Sequence, residues 1–362
     1  MTPEDPLADW LLTLPMETIP SERITQIQAE LCAGLDELNA YLNEQASRRV
    51  DLRDVGRKLY WGRHSFIGFT PADLPRACET YRRIFAREIS GSVEVQAMLL
   101  NLIAASEDAT SVPFWLDALT LYKQRDVFRP QRQTIALAAL ARLAIRHNEP
   151  EAYEALRQAA FHREPGIRGL AVHYLGRAYH EAGRPLPSLL LAELEDIALQ
   201  DAFFEPRFQA RMLLRPAGIA VPFDNRGGTY SFKVKPLWTQ RIYRTIEVRS
   251  EQTLDDLQRF IQHAFEWNNE HFYSFYMNGC KYDDRYAFAC PHEADRPACT
   301  VEAIVGELGL VLHHRFLYHF DYAADHLFEV EVVNIRPNVR PSNYPRLVDS
   351  YGKAPLQYSS LL

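Results

Sequence analysis

Imidazoles and carboxylates a few residues apart are the first place to look for chemistry. The last third of the chain holds one such group, His319, Asp321, Asp325 and His326, with His271 upstream. A carboxylate beside an imidazole can fix its tautomer, tune a general base or support a metal ligand. In FLYHFDYAADHLFEVEV, Phe316, Tyr318 and Phe320 alternate with polar residues. If those aromatics face a core, His319 and Asp321 face the other side, because side chains alternate along a strand. His271 or His326 would then act as base, with Asp321 or Asp325 orienting it. The competing reading is a charged turn beside ordinary sheet residues. By the same logic Trp238 and Trp267 read as core side chains rather than cofactor partners.

A second set is Cys280, Cys290, His292 and Cys299. Thiolate and imidazole suit zinc, but Cys-x-His with a distant Cys is not a usual four-ligand spacing, and Cys280 would have to complete it. The alternative is a loop with incidental cysteines, and no other cofactor is implied. Phosphate-cradling glycine loops, HExxH and GxSxG are all missing from the sequence. Arg340 and Arg346 sit among prolines near Tyr344 and Tyr351. That mixture suits a nucleic acid backbone, without a full recognition motif.

Bulk properties narrow the classes. With 362 residues, 47% of them hydrophobic, the chain can bury the cores of two domains. Nineteen Phe and eighteen Tyr exclude global disorder, since they supply the apolar surface that offsets ordering entropy. A formal net charge of −7 implies no general attraction to nucleic acid or anionic membrane. The opening MTPEDPLADWLLTLP carries acidic residues and a proline-broken apolar run, so it reads as neither an export signal nor a membrane span. Five cysteines, an odd number without a dense framework, fit a reduced cytoplasmic setting in which most are small buried hydrophobes.

The elements that must position these groups fall into two kinds. Residues 1–20 form an irregular lead-in. Over 21–46, Ile24, Ile27, Leu31, Leu35, Leu38 and Leu42 recur at helical spacing, and 50–75 reads as an aromatic connector before helix resumes near Leu74. Counting from Pro130, Arg132, Ile135, Ala136, Ala139, Leu140 and Leu143 occupy the same offsets as Ile167, Leu170, Ala171, Tyr174, Leu175 and Ala178 counted from Pro165. Weaker copies start near Ser92 and Pro206. The pattern predicts a two-helix unit repeated as a HEAT-like array over 21–214, because each unit must stack to bury its stripe. A nonrepeating helical bundle is the alternative.

A linker follows at 215–229, where Pro216, Gly218, Pro222, Gly227 and Gly228 oppose helix. The period then changes to two. Residues 230–358 read as an α+β domain with a mixed or antiparallel sheet. Its first strands pair around 230–234 and 242–248. A helix follows, capped by Thr253 and Asp256. An Asn278-Gly279 hairpin and a second helix from Thr300 to Leu308, stopped by Gly309, come next. A last hairpin pairs the Phe316 and Phe328 runs.

Trp238, Arg241, Thr253, Leu254, Asp256, Leu257, Ile261, Trp267 and His271, followed by Tyr318, Phe320, Asp321, Asp325, His326 and Val330, form an ordered pattern. It resembles the plasmid pRiA4b ORF-3-like domain family over 228–358. The chain departs from that family at Tyr273, where many members have a second histidine. It departs again at Tyr322-Ala323-Ala324, in place of a glycine turn, and in its YPRLVDSYGKAPLQY ending. The resemblance implies a fold and no established reaction. The expectation is a cytoplasmic interaction or adaptor protein that binds a protein partner through both halves. An enzyme using the His/Asp set, or a nucleic-acid-associated module, is the alternative.

Overall fold

The computed structural model describes residues 74–88, 93–121, 125–239, 241–292, 298–340 and 342–358. The lead-in 1–20, the helix expected over 21–46 and nearly all of the connector 50–75 lie outside the described residues, as does Cys32. The chain divides into two compact units, Met1–Pro185 and Leu186–Leu362.

The described part of the first unit is helical. Its elements are α1 (Leu74–Phe85), α2 (Val93–Ala105), α3 (Val112–Thr120), α4 (Arg129–His147), α5 (Pro150–Ala159) and α6 (Pro165–Glu181). Prolines occupy the first turn of α3, α4, α5 and α6, where a missing N–H costs no helical hydrogen bond. The positions matched by offset in α4 and α6 are buried, except Leu170, which is partly exposed. Arg132 is fully buried yet paired. Its guanidinium donates to the Ala118 and Leu121 carbonyls at 3.2 and 2.8 Å and meets Asp126 at 2.7 Å. It thereby satisfies carbonyls that the end of α3 leaves open.

The second unit begins with α7 (Ser188–Gln200) and α8 (Phe204–Leu214), so these two helices share a compact unit with the sheet. The reason is apolar. Phe204 and Phe208 enter the sheet's core, with Phe208 5.3 Å from Tyr286 and 5.9 Å from Phe288. The strands are β1 (Thr229–Pro236), β2 (Tyr243–Arg249), β3 (Tyr273–Tyr276), β4 (Ala287–Ala289), β5 (Arg315–Phe320), β6 (His326–Arg336) and β7 (Arg346–Tyr351). They form one sheet of order β4-β3-β5-β6-β1-β2-β7, and every pairing is antiparallel. The β5–β6 hairpin sets Phe316 opposite Val330 and Tyr318 opposite Phe328, as the alternation predicts.

Helix α9 (Leu254–Phe265) carries the expected capping box: the Thr253 hydroxyl accepts from the Asp256 amide, and the Asp256 carboxylate accepts from the Thr253 amide. Leu254, Leu257, Ile261 and Phe265 are buried in the core with Tyr318 and Phe328. Asn278-Gly279 does make a turn, with Gly279 at φ 76°, but a loop with a 3₁₀ turn at Asp284–Tyr286 separates it from β4. The helix expected from Thr300 to Leu308 is a 3₁₀ turn at Val305–Glu307. Its backbone bonds outward instead: Val305 and Gly306 donate to the Gln252 and Ser250 carbonyls, and Ala303 accepts from Leu254. Cross-chain pairing there replaces the i to i−4 ladder.

The capping box is testable in isolation. Thr253→Ala should destabilise the protein by about 1 kcal/mol in urea unfolding, with Thr253→Ser near wild type. Equal stability of all three would remove the cap from the account.

Candidate functional site

The alternation of β5 ends at Phe320. Asp321 adopts a left-handed backbone at φ 51° and opens the turn to β6, and Asp325 closes it at φ 54°. His319 and Asp321, read together from the alternation, acquire different close partners. The Asp321 carboxylate is almost fully buried. Its Oδ1 accepts from the Ala323 and Ala324 amides, both at 3.2 Å, and its Oδ2 accepts from the Tyr358 hydroxyl at 2.7 Å. His271 Nδ1 lies 3.6 Å from Oδ2. Burial alone would raise the Asp321 pKa. The Tyr358 hydrogen bond, the two amides and His271 outweigh it and hold the carboxyl below the usual carboxylate range.

His326 stands beside this carboxylate within an aromatic wall. Its ring is 4.7 Å from Trp267, 5.7 Å from Trp238 and 5.8 Å from Tyr358. Burial pushes its pKa below the ordinary imidazole range, against the pull of Asp321 and a hydrogen bond to the Gln357 backbone. The two tryptophans differ from the core expectation in one respect. Trp267 is buried, but Trp238 is 51% exposed. Their planes lie 7° from parallel with centroids 6.3 Å apart, and both meet Phe328 edge-on at 5.4 Å.

Segment 352–358 brings Tyr358 to Asp321. Gly352 turns the chain at φ 76°, where a Cβ would stand 2.5 Å from the Arg241 carbonyl oxygen, so no other residue fits without movement. Arg244 secures the start of the segment, donating to the Tyr351 and Gly352 carbonyls at 3.2 and 3.1 Å and to the end of α9 at Ala264 at 2.9 Å. Residues 229–357 match the family model described as plasmid pRiA4b ORF-3-like protein. The pRiA4b ORF-3-like region thus takes in the sheet, α9 and nearly all of this segment. It is also similar to a solved structure from Methanosarcina mazei Go1, described as protein of unknown function MM3350. That match has 22% identity and a TM-score of 0.31, and covers 36% of this chain and 72% of the other. No curated protein matches the chain.

His319 and Asp325, the other half of the set read from sequence, form a separate cluster of the pRiA4b ORF-3-like region. His319 Nε2 is 3.0 Å from Asp325 Oδ1, which also pairs with Lys281. The ring packs on Tyr322 at 4.8 Å. His319 is fully buried and its Nδ1 has no hydrogen-bond partner among the described residues. Burial, with Lys281 nearby, pushes its pKa down to about 4. Tyr273 is a core residue. Its hydroxyl donates to Asp255 at 2.5 Å and lies 3.0 Å from the Thr300 hydroxyl.

The cysteine set is not assembled. Among the described residues no group of three or more His, Cys, Asp and Glu side chains is gathered as a metal site, Cys280, Cys290, His292 and Cys299 included. Cys290 is buried in the apolar core, while Cys280 and Cys299 are half-buried on their own segments. No described helix is long and apolar enough to cross a membrane. Arg346, read above as a backbone-phosphate candidate, pairs with the buried Glu247 at 2.6 Å. Sequence reading missed Tyr358, Gln357, Asn268 and Lys281 as site residues. Each meets its partner across a long stretch of chain, and no periodicity marks it.

A neutral buried His319 has a signature. Its ordinary pKa is 6.5 and its folded value about 4. Between those values the unfolded chain binds the extra proton. Stability is therefore complete above pH 6.5 and falls toward pH 4, by about 3 kcal/mol at about 1.4 kcal/mol per unit. His314, pushed down to about 4 by burial, adds a like slope. His319→Gln should lower the slope in urea unfolding between pH 4 and 6.5 by up to about 1.4 kcal/mol per pH unit, and an unchanged slope would contradict this placement.

Proposed function

We propose that this chain is a cytoplasmic interaction protein, with its helices as one binding surface and the Trp238–His326–Asp321 side of the sheet domain as another. One observation carries the reading: Trp238 holds a large aromatic face half in solvent while its other contacts fix it against Trp267 and Phe328. Rigid exposed aromatics beside a polar rim are the residues that anchor protein interfaces, since they bury much surface at little entropic cost.

The helices are read as HEAT-like units. A buried arginine recurs as their internal clamp. Arg132 holds the Ala118 carbonyl at the end of α3, and Arg211 holds the Ala198 carbonyl at the end of α7, at 3.2 and 2.9 Å. Each spans the turn of a helix pair, 14 and 13 residues back along the chain. This is the internal likeness a repeated unit requires.

A second reading has its own support. His271 lies beside a fixed, ionised Asp321, the arrangement of an oriented general base. Turnover of a hydrolase substrate panel that His271→Gln abolishes would favour it, and equal turnover by the variant would not.

The interaction reading is tested by affinity purification of the full chain at native expression, beside Trp238→Ala. A reproducible partner, which includes a second copy of the chain, should fall at least about tenfold in recovery with the variant. Recovery of no reproducible partner, or unchanged recovery, would overturn it.

A further inference from the structure

Segment Gly352–Tyr358 follows the edge strand β7 and has neither helix nor strand of its own. None of its residues is buried, and Leu356 is 77% exposed. Yet the sheet domain meets it with specific groups at successive positions. The Trp267 indole Nε1 donates to the Pro355 carbonyl at 2.8 Å. The Gln357 carboxamide is read at both ends: the Asn268 amide donates to Oε1 at 2.8 Å, and Nε2 donates to Asn268 Oδ1 at 2.7 Å. The His326 ring lies 5.8 Å from the Tyr358 ring. The Tyr358 hydroxyl donates to Asp321 Oδ2 at 2.7 Å, with its ring set across His271 at 6.1 Å.

The two sides of this contact differ in kind. Trp267 is part of the core, and Asp321 is fixed by its own turn amides. Trp267 and Asp321 are therefore held by contacts other than the segment's. The segment itself is kept by hydrogen bonds with little apolar burial, and water competes well for such bonds. Its polar atoms are matched donor to acceptor, so the chemistry being read is legible. A carbonyl goes to an indole N–H, a neutral carboxamide to Asn268, and a phenol to a carboxylate. Glutamate in place of glutamine would set oxygen against Asn268 Oδ1, and phenylalanine in place of tyrosine would leave Asp321 Oδ2 without its hydroxyl.

We propose that the surface formed by Trp267, Asn268, Asp321 and His326 is a peptide-binding site, occupied in cis by Pro355–Tyr358. In trans it takes an extended peptide of another chain carrying a glutamine followed by a tyrosine. The proposal rests on the interaction reading above and names its partner class. Bound in cis, the segment acts at high effective concentration and must be displaced before a partner binds.

The test uses the full chain and a fluorescein-labelled peptide GKAPLQY, which repeats Gly352–Tyr358. By fluorescence anisotropy, the Gln357→Ala/Tyr358→Ala variant should bind it at least about tenfold more tightly than wild type, because the cis competitor is gone. The GKAPLEY and GKAPLQF peptides should each bind the variant about tenfold more weakly. No binding by a variant with wild-type circular dichroism overturns the proposal, as does equal binding of all three peptides. Should the double variant fail to fold, Tyr358→Phe serves. Hydrogen exchange of the Asn268 backbone amide, which donates to Gln357 Oε1, should then quicken about tenfold while β5 and β6 amides keep their rates, and unchanged exchange at Asn268 overturns the proposal. A titration that fails while Trp238→Ala still loses its partner rejects the peptide site alone. A titration that succeeds without a recovered partner leaves the site standing by itself.

Discussion

A carboxylate taken out of water must find donors for its lone pairs, and Asp321 finds them on two sides. The turn amides of Ala323 and Ala324 hold one oxygen, Tyr358 holds the other, and His271 stands beside it. Without those donors the group would take up a proton as burial favours. The left-handed backbone at Asp321 makes the arrangement available, because it breaks the strand alternation and lets the side chain curl over its own turn. Tyr358 and His271 are both set against this carboxylate.

The rest of the sheet domain serves to keep that turn in place. Tyr318 and Phe328 face each other across the hairpin that carries it, and α9 covers them from its capped first turn onward. Gln258 and Gln262 of α9 donate to the Tyr318 hydroxyl, which ties the helix to the hairpin. Lys281 and Asp325 form a further ion pair beside the buried His319. One hairpin thus supplies the carboxylates of two imidazole contacts, Asp321 beside His271 and Asp325 beside His319.

Much of this was legible in the residues. The period-two runs at Tyr230, Phe316 and Phe328, the Thr253–Asp256 box and the prolines opening the helices all act locally, so short stretches of sequence report them. Where the reading failed, distant partners decided the outcome. Residues 300–308 have helical spacing but give their hydrogen bonds to 250–254. The helices of 188–214 carry the array's pattern, yet Phe204 and Phe208 bury themselves in the sheet's core. His319 and Asp321 read as one site because alternation was carried a residue past the end of β5. Tyr358 and Gln357 were invisible because their partners lie 37 and 89 residues away.

The central claim is that the Asp321 carboxylate holds Tyr358 in place. A double-mutant cycle on Asp321→Asn and Tyr358→Phe tests it most directly, read as the free energy of unfolding in urea. A charge-assisted hydrogen bond predicts a coupling of about 1.5–3 kcal/mol between the two positions. Additive effects, with coupling below about 0.3 kcal/mol, would contradict it.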